Sequence, residues 1–174
     1  AAYENVEFSS LTNHDGLTNS QVGAILKDTR GYIWFGTQSG LCRFDGFRMK
    51  TFYYINTDDK SLPNNSVDEL QQDYGGNIWV HTSVGYCIYK YDEEQFERKP
   101  EEWLKNIHVQ GPPYKLLIDK DKNMWIAVYG QGLYYHNAKT KNTYLFKFTK
   151  KAQPGCLKEG NISKITEVDG DALI

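Results

Sequence analysis

Residues 28–41 read Asp-Thr-Arg-Gly-Tyr-Ile-Trp-Phe-Gly-Thr-Gln-Ser-Gly-Leu, and the same spacing of Asp, Gly, Ile-Trp, Thr and Gly returns at residues 73–86. The two tryptophans of these stretches, Trp34 and Trp79, are 45 residues apart, and Trp125 follows 46 residues later. Self-similarity at a period near 45 is typical of proteins built from small repeated sheets. The repeat therefore decides the fold class before any single residue is interpreted.

Each repeat predicts four consecutive short strands separated by turn residues. In the first repeat the predicted strands cover residues 22–28, 33–37, 41–44 and 47–54, and in the second they cover 67–73, 78–82, 86–91 and 95–98. Four antiparallel strands per repeat form one blade of a β-propeller. The sequence thus predicts an all-β fold, an incomplete β-propeller of about three and a half four-stranded antiparallel blades.

The repeats divide the chain into blade 1 at residues 17–61, blade 2 at 62–108, blade 3 at 109–157 and the start of blade 4 at 158–174. The third copy is weaker, because Lys122 stands at the turn glycine and Val128 at the strand threonine. A fourth copy begins at Ile162 and reaches Ile174 at the tryptophan position. Residues 1–16 form an N-terminal segment in which Val6 to Leu11 is a candidate closing strand, and a short helix is predicted at residues 100–106, where proline opens the segment.

The composition limits the function classes. It is 40% hydrophobic and 24% charged, which is typical of a folded domain, and its 14% aromatic content favours strands. The net charge of −2 and the lack of a basic stripe argue against nucleic acid as a partner. No run of 18 apolar residues is present, so no membrane-spanning helix is predicted in this segment.

Cys42 and Cys87 occupy the same position of two successive repeats, so they are predicted to lie on equivalent strands of neighbouring blades. Packed sheets are about 10 Å apart, whereas disulfides need Cα atoms within about 7 Å. We therefore predict no bridge between them. Cys156 leaves the cysteine count odd.

The first repeat, together with Asp15-Gly16-Leu17 before it and Phe44-Asp45-Gly46 after it, resembles the two-component regulator propeller repeat at the start of the periplasmic sensor region of bacterial hybrid two-component systems. The resemblance implies a periplasmic location as part of an inner-membrane receptor, with membrane attachment only through downstream segments and a histidine kinase elsewhere in the parent polypeptide. It also implies a small-molecule ligand, an oligosaccharide above all, control of polysaccharide-utilisation genes, and a homodimer as a candidate assembly. This segment itself is expected not to be an enzyme.

Ligands of propellers usually bind loops at one mouth of the ring. Five polar or aromatic residues are predicted to share that mouth, at the starts of first strands or in the turns between second and third strands: Asn19, Gln38, Asn65, Ser83 and Tyr129. Their amide, hydroxyl and aromatic groups suit neutral polyols. The alternative interpretation is ordinary polar turns. Trp34, Trp79 and Trp125 are interpreted as the structural core of the repeat.

No catalytic residue, metal site or cofactor is predicted. The four histidines, His14, His81, His108 and His136, are scattered without paired spacing. His81 alone stands in a repeat-aligned strand, where Gly36 and Ala127 are its counterparts, so a ligand-facing role stays open for it. Residues 119–123 superficially resemble a calcium loop, but Met124 stands where that loop needs glycine, so a hairpin turn is the better interpretation. Two other functions remain open, namely a propeller lyase, which would need a histidine or carboxylate cluster at the mouth, and a protein-interaction scaffold.

Overall fold

The structure is a computed structural model that describes residues 10–149, 157–158, 162–168 and 171–173. Its first sheet, blade 1, contains β1 (Val22–Lys27), β2 (Ile33–Thr37), β3 (Gly40–Phe44) and β4 (Met49–Phe52). Blade 2 contains β5 (Val67–Gln72), β6 (Ile78–Thr82), β7 (Gly85–Lys90) and β8 (Gln95–Glu97). Blade 3 contains β9 (Pro113–Ile118), β10 (Met124–Val128), β11 (Gly132–His136) and β12 (Thr143–Thr149). A hairpin of β14 (Thr166–Val168) and β15 (Asp171–Leu173) follows.

Strands that are consecutive in sequence are neighbours in each blade, and all of these pairs are antiparallel. The predicted all-β architecture of four-stranded blades is confirmed. Blade 3 has one addition, because β13 (Leu157–Lys158) pairs in parallel with the end of β12. Among the described residues, helical structure is limited to α1 (Pro100–Leu104) and two 3-10 turns, Asn13–Asp15 and Lys105–Ile107.

A buried carboxylate explains the Asp and Trp of the repeat. In blade 2, Asp73 Oδ1 accepts the backbone N–H of Gly75 at 2.8 Å and of Asn77 at 3.0 Å, while its Oδ2 accepts Asn77 Nδ2 and the indole Nε1 of Trp79, each at 3.0 Å. The same offsets of two, four and six residues recur in blades 1 and 3. One side chain thus shapes the hairpin between the first two strands and also satisfies the buried indole.

Neighbouring blades are held together by the two faces of each second strand. Trp34 is fully buried in the cluster shared by blades 1 and 2, whereas Phe35, on the opposite face, packs with Cys42 and Leu17. Trp79 is 1% exposed and belongs to the cluster between blades 2 and 3. Trp125 is only partly buried and packs beside the start of the fourth repeat.

Blades 1 and 2 approach each other closely at a glycine. A Cβ atom added to Gly36 would lie 2.6 Å from Val67 Cγ1, so the missing side chain makes room for a fully buried residue of the next blade. Cys42 and Cys87 are both buried and free. The Cys156 position lies outside the described residues.

One predicted strand needs correction, and another lies mostly outside the described residues. The fourth strand of blade 1 was predicted at residues 47–54 but covers Met49–Phe52. Asp45 Oδ1 accepts the backbone N–H groups of Phe47 and Arg48 and holds them in a turn, and beyond the strand the backbone N–H of Tyr54 donates to Asn65. Of the candidate closing strand Val6 to Leu11, residues 6–9 lie outside the described residues, as does Ile174. Leu11 packs against the free face of blade 1.

The helix predicted at residues 100–106 is confirmed. Pro100 opens α1, where its missing N–H costs no helical hydrogen bond, and the 3-10 turn continues the segment to Ile107. Within the described ranges, no helix is long and apolar enough to cross a bilayer.

Candidate functional site

The turns between the second and third strands and the starts of the first strands lie on one side of the blades, which we call the rim. In blade 1, Asn19 Nδ2 donates to Ser39 Oγ at 3.0 Å. Gln38 Oε1 accepts the hydroxyl of Ser66 in blade 2 at 2.9 Å. The backbone N–H of Ser83 donates to the carbonyl of the same Ser66 at 3.2 Å. The structure therefore brings Asn19, Gln38 and Ser83 to one continuous stretch of the rim.

Asn65 also lies at the rim, but its side chain has a structural task. Its Oδ1 accepts the backbone N–H of Tyr54 at 2.7 Å and so ties the connection between blades 1 and 2 to the start of β5. Arg98 fixes the same connection through the carbonyls of Asp58, Ser61 and Leu62 and the hydroxyl of Ser61, at 2.7–3.3 Å. The amide oxygen of Asn65 is thus occupied, as is that of Gln38, so the NH₂ group is what each of these two side chains offers a ligand.

Tyr129 is the aromatic member of the five predicted mouth residues, and it is exposed. The residue is 64% exposed, and its ring stacks on Tyr114, with ring centroids 4.0 Å apart and an angle of 19° between the planes. The hydroxyl of Tyr114 accepts the backbone N–H of Ile162 at 3.0 Å, which anchors the stack to the start of the fourth repeat. The pair forms a flat aromatic surface at the rim of blade 3.

Each first strand carries a β-bulge next to the rim. The extra residue is Gly23 in blade 1, Asp68 in blade 2 and Tyr114 in blade 3, as the pairing registers show. A bulge leaves one residue unpaired and changes the direction of its side chain, which is why bulges are frequent beside functional sites. The three blades therefore present three different chemical groups from one equivalent position.

The bulge of blade 2 forms a His–Asp pair. Asp68 Oδ1 lies 2.6 Å from His81 Nδ1, and the His81 ring lies 4.4 Å from the ring of Tyr86. The Tyr86 hydroxyl donates to Glu69 Oε2 at 2.9 Å and accepts the backbone N–H of Leu116 in blade 3 at 3.1 Å. Burial raises the pKa of the Tyr86 hydroxyl above its usual value, and the charge of Glu69 raises it further. This polar cluster therefore joins blades 2 and 3 beside the apolar cluster that contains Trp79.

Sequence reasoning singled out His81 as the histidine that stands in a repeat-aligned strand, but it missed the pair with Asp68. The two residues are separated by 13 positions, and only the bulge brings Asp68 onto the His81 side of the sheet. The available signal was the repeat itself, since Asp68 and His81 both stand at positions where blade 1 has glycine, Gly23 and Gly36. Both positions carry glycine in blade 1 and a polar side chain in blade 2, which is the pattern expected of two side chains that contact each other.

One cavity lies beside the rim turn of blade 3, which follows Tyr129, and extends along β12. It has a volume of about 610 Å³ on the outer part of blade 3 and is lined by residues that include His108, Gln110, Gln131 and Lys147. A second cavity of about 300 Å³ lies between the outer strands of blades 1 and 2. In the part of the chain that the structure describes, no group of three His, Cys, Asp or Glu residues is arranged to hold a metal ion. The rim therefore offers hydrogen bonding and stacking as its chemistry.

Comparisons with known proteins agree with this architecture. Residues 16–39 match the family described as "Two component regulator propeller". A curated relative, "Histidine kinase P4" of Formosa agariphila, is 41% identical over 61 residues, which is 35% of this chain and 4% of the relative.

Among solved structures, the extracellular domain of the putative hybrid two component system BT3049 from B. thetaiotaomicron is similar. Its TM-score is 0.62 at 24% identity, and the similarity covers 94% of this chain and 23% of that domain. The chain therefore spans only a small part of the length of the proteins it matches. Repeat, blade architecture and fold agree, and this chain is a β-propeller segment that carries the two-component regulator propeller repeat.

Proposed function

We propose that this chain is part of the extracytoplasmic, periplasmic ligand-sensing propeller of a hybrid two-component receptor. The observation that carries the proposal is the repeat: residues 16–39 match the two-component regulator propeller and fold as the first half of blade 1. The similar solved fold belongs to an extracellular domain. The propeller senses, and the phosphotransfer chemistry lies in other parts of the parent polypeptide.

The ligand class that suits the rim is a neutral oligosaccharide, and its binding controls genes for polysaccharide use. Gln38 offers an amide, Ser83 a hydroxyl and Tyr129 an exposed ring, and such groups bind the hydroxyls and the apolar faces of sugars. A receptor of this kind must bind its ligand more tightly in one signalling state than in the other. Ligand binding is therefore the first property to measure.

The test uses the complete extracytoplasmic region of the parent polypeptide. Calorimetric titration with gluco-, galacto-, manno- and xylo-oligosaccharides of two to four units is expected to show saturable binding of one class. The Gln38→Ala and Tyr129→Ala variants should weaken that binding at least tenfold. Phe47→Ala is the matched control, because Phe47 is 94% exposed but lies in the turn between β3 and β4, at the end of the blade opposite the rim.

Two outcomes would contradict the proposal. Absence of binding across the whole panel would contradict the oligosaccharide proposal. Equal loss of binding in the Phe47→Ala control would contradict the assignment of the site to the rim.

A protein-interaction scaffold is the second candidate, and one observation favours it. Large apolar side chains are exposed near the rim, where they follow β4 or occupy the turn of blade 2: Tyr53 at 45%, Tyr54 at 42%, Ile55 at 50% and Val84 at 67%. Exposed apolar patches mark contact surfaces for macromolecules. If no sugar binds and a Val84→Asp variant loses a protein partner that the wild type retains, the scaffold function replaces the sensor function.

A further inference from the structure

The cavity of about 610 Å³ in blade 3 lies between one face of the sheet and the connection that arrives from blade 2. On the sheet side, Tyr134 and Leu145 are cross-strand neighbours on β11 and β12, and both pack with the cluster between blades 2 and 3. On the other side, the cavity is lined by His108 and Gln110 of the connection. The cavity therefore lies on the face of blade 3 that is turned toward blade 2.

Two hydrogen bonds hold the connection against blade 3 on either side of His108. On the rim side, Gln131 Nε2 donates to the backbone carbonyl of Gln110 at 2.7 Å. Farther along β12, the Thr143 hydroxyl donates to the backbone carbonyl of Ile107 at 2.6 Å. Because side chains of blade 3 fix the connection at both points, the wall of the cavity is in place before any ligand arrives, which lowers the entropic cost of binding.

A glycine leaves room for a lysine in this cavity. Gly132 of β11 is the cross-strand neighbour of Lys147 on β12, and a Cβ atom added to Gly132 would lie 3.1 Å from the Cα atom of Lys147. In blade 1 the corresponding glycine, Gly40, has the ring of Tyr53 beside it. Blade 3 thus has an ammonium group where blade 1 has an aromatic ring.

The wall of the cavity is positively charged. Of the described residues that line it, Lys147 carries an ammonium, His108 supplies an imidazole and none has a carboxylate. Lys147 forms no ion pair with any described residue. The cavity between the outer strands of blades 1 and 2 differs, because Lys60 shares its wall with Asp58 and Glu94. The cavity of blade 3 therefore presents a cation without a counter-charge in its wall, which favours an anionic ligand.

The rest of the wall supplies apolar contact and hydrogen-bond donors. Leu145 and Lys147 are two residues apart on β12, so their side chains lie on the same face about 7 Å apart. The Tyr134 hydroxyl donates to the carboxamide oxygen of Gln131, which leaves the Tyr134 ring as an ordered surface beside Leu145. Gln110 adds an amide. A volume of about 610 Å³ is typical of sites for small molecules.

We propose that this cavity binds a small organic molecule in which a short spacer joins one singly charged anionic group, such as a carboxylate, to a ring. The anionic group pairs with Lys147 and accepts a hydrogen bond from His108, and the ring lies on Leu145. A single ammonium balances a single negative charge, so the site selects a singly charged ligand against its neutral analogue. The site goes beyond the proposed sensor function, because it gives the propeller a second class of ligand.

This site is separate from the groups proposed for a neutral oligosaccharide. Tyr129 stacks on Tyr114, which packs with Ile162 on the face of blade 3 toward the fourth repeat. The cavity lies on the opposite face of that sheet. Gln38 and Ser83 belong to blades 1 and 2. The two sites can therefore be tested independently.

The test is saturation-transfer nuclear magnetic resonance, followed by calorimetry, on the complete extracytoplasmic region. The probes are two matched acid–neutral pairs: 3-phenylpropionate with its amide, and methyl glucuronide with methyl glucoside. The first pair has an aromatic body and the second a sugar body. At least one acid is expected to bind saturably and at least tenfold more tightly than its neutral partner. Absence of binding by both acids at about 10 mM, where a ligand with a Kd of about 1 mM is nearly saturating, overturns the proposal.

Substitution of the lysine locates the binding. Lys147→Met removes the charge and should weaken binding of the acid at least tenfold while binding of the neutral partner stays unchanged. Lys147→Glu should reverse the preference, so that 3-phenylpropylamine binds in place of 3-phenylpropionate. Lys60→Met is the matched control, since Lys60 is also an exposed lysine in the wall of a cavity. Thermal unfolding of every variant establishes that it is folded.

The outcomes separate this site from the oligosaccharide site. If the acid binds Lys147→Met as tightly as wild type, the cavity is not its site and the proposal is wrong. An equal loss in Lys60→Met would show a general effect of charge and would overturn the proposal as well. If the acid binds through Lys147 but no neutral oligosaccharide binds at all, this site stands and the oligosaccharide proposal fails.

Discussion

Replacement of the buried carboxylate that holds each repeat tests how the repeat motif stabilises its blade. Asp73 is 2% exposed and accepts four hydrogen bonds, two from backbone N–H groups and two from the side chains of Asn77 and Trp79. An Asp73→Asn variant keeps the shape of the side chain but replaces one acceptor oxygen by an NH₂ group. Each carboxylate oxygen accepts two of the four bonds, so in either orientation of the new amide two bonds are lost. The two N–H donors that made them then face the NH₂ group.

The size of the effect follows from the number and burial of these bonds. A hydrogen bond to a charged group contributes about 1.5–3 kcal/mol, so the loss of two costs about 3–6 kcal/mol when water cannot replace them. Asp119 makes the corresponding bonds in blade 3, but it is only partly buried and its bond to the Trp125 indole is longer, at 3.3 Å. Water can solvate this site, so Asp119→Asn is expected to cost about 1–2 kcal/mol.

Urea unfolding followed by tryptophan fluorescence measures both variants in the longest soluble form of the polypeptide that contains residues 1–174. Asp73→Asn should lower the urea midpoint clearly more than Asp119→Asn. Nuclear magnetic resonance of the indole N–H groups provides the local control, because the signal of Trp79 should move in the first variant and that of Trp125 in the second. Equal midpoints for the two variants would refute the argument from burial.

Three further changes test the contacts between blades and one buried histidine. Gly36→Ala is expected to destabilise the fold by about 1–3 kcal/mol through overpacking against Val67. In a double-mutant cycle, Val67→Ala should relieve part of that loss. If the two losses of stability simply add in the double variant, the close contact between Gly36 and Val67 is not the cause. Tyr86→Phe leaves the backbone N–H of Leu116 without its acceptor and should cost about 1–3 kcal/mol in urea unfolding, whereas an unchanged midpoint would show that the bond contributes nothing. The pKa of His136 lies below its ordinary value of 6.5 because burial disfavours the imidazolium. Once the pH falls below that ordinary value, the unfolded chain therefore binds more protons than the folded chain. The free energy of unfolding should be constant at higher pH and should decrease as the solution is acidified. His136→Phe should reduce this slope between pH 5 and 7, and an identical slope in the variant would assign the effect to other groups.

The sequence predicted the blades well because the repeat records the same physical requirements several times. The Asp, the Trp and the turn glycines each satisfy a local need within one hairpin, so their spacing is visible in the chain. Trp34 and Phe35 lie on opposite faces of β2, as the alternation of side chains along a strand requires. The third copy was harder to recognise, since Lys122 takes the left-handed turn conformation, with φ at 66°, that glycine takes in the other blades.

The rim was predicted only in part. Its side could be inferred, because turns at the same position of each repeat must lie at the same end. The pairing of Asp68 with His81 could not, since it depends on a bulge that shifts one strand by a residue and leaves no mark in the hydrophobic pattern. The occupied state of Asn65 was also hidden, because its partner Tyr54 comes from the connection between two blades.

The carboxylate that organises each repeat also bears on how the chain reaches its native state. Its bonds join residues two, four and six positions apart, and each sheet pairs only strands that follow one another in sequence. Few loops must therefore close before a blade gains its own stabilising contacts, and proteins rich in such local contacts fold fast. The strands of a blade can therefore pair locally, but their apolar faces are buried only when the neighbouring blades pack against them, so stability builds up blade by blade.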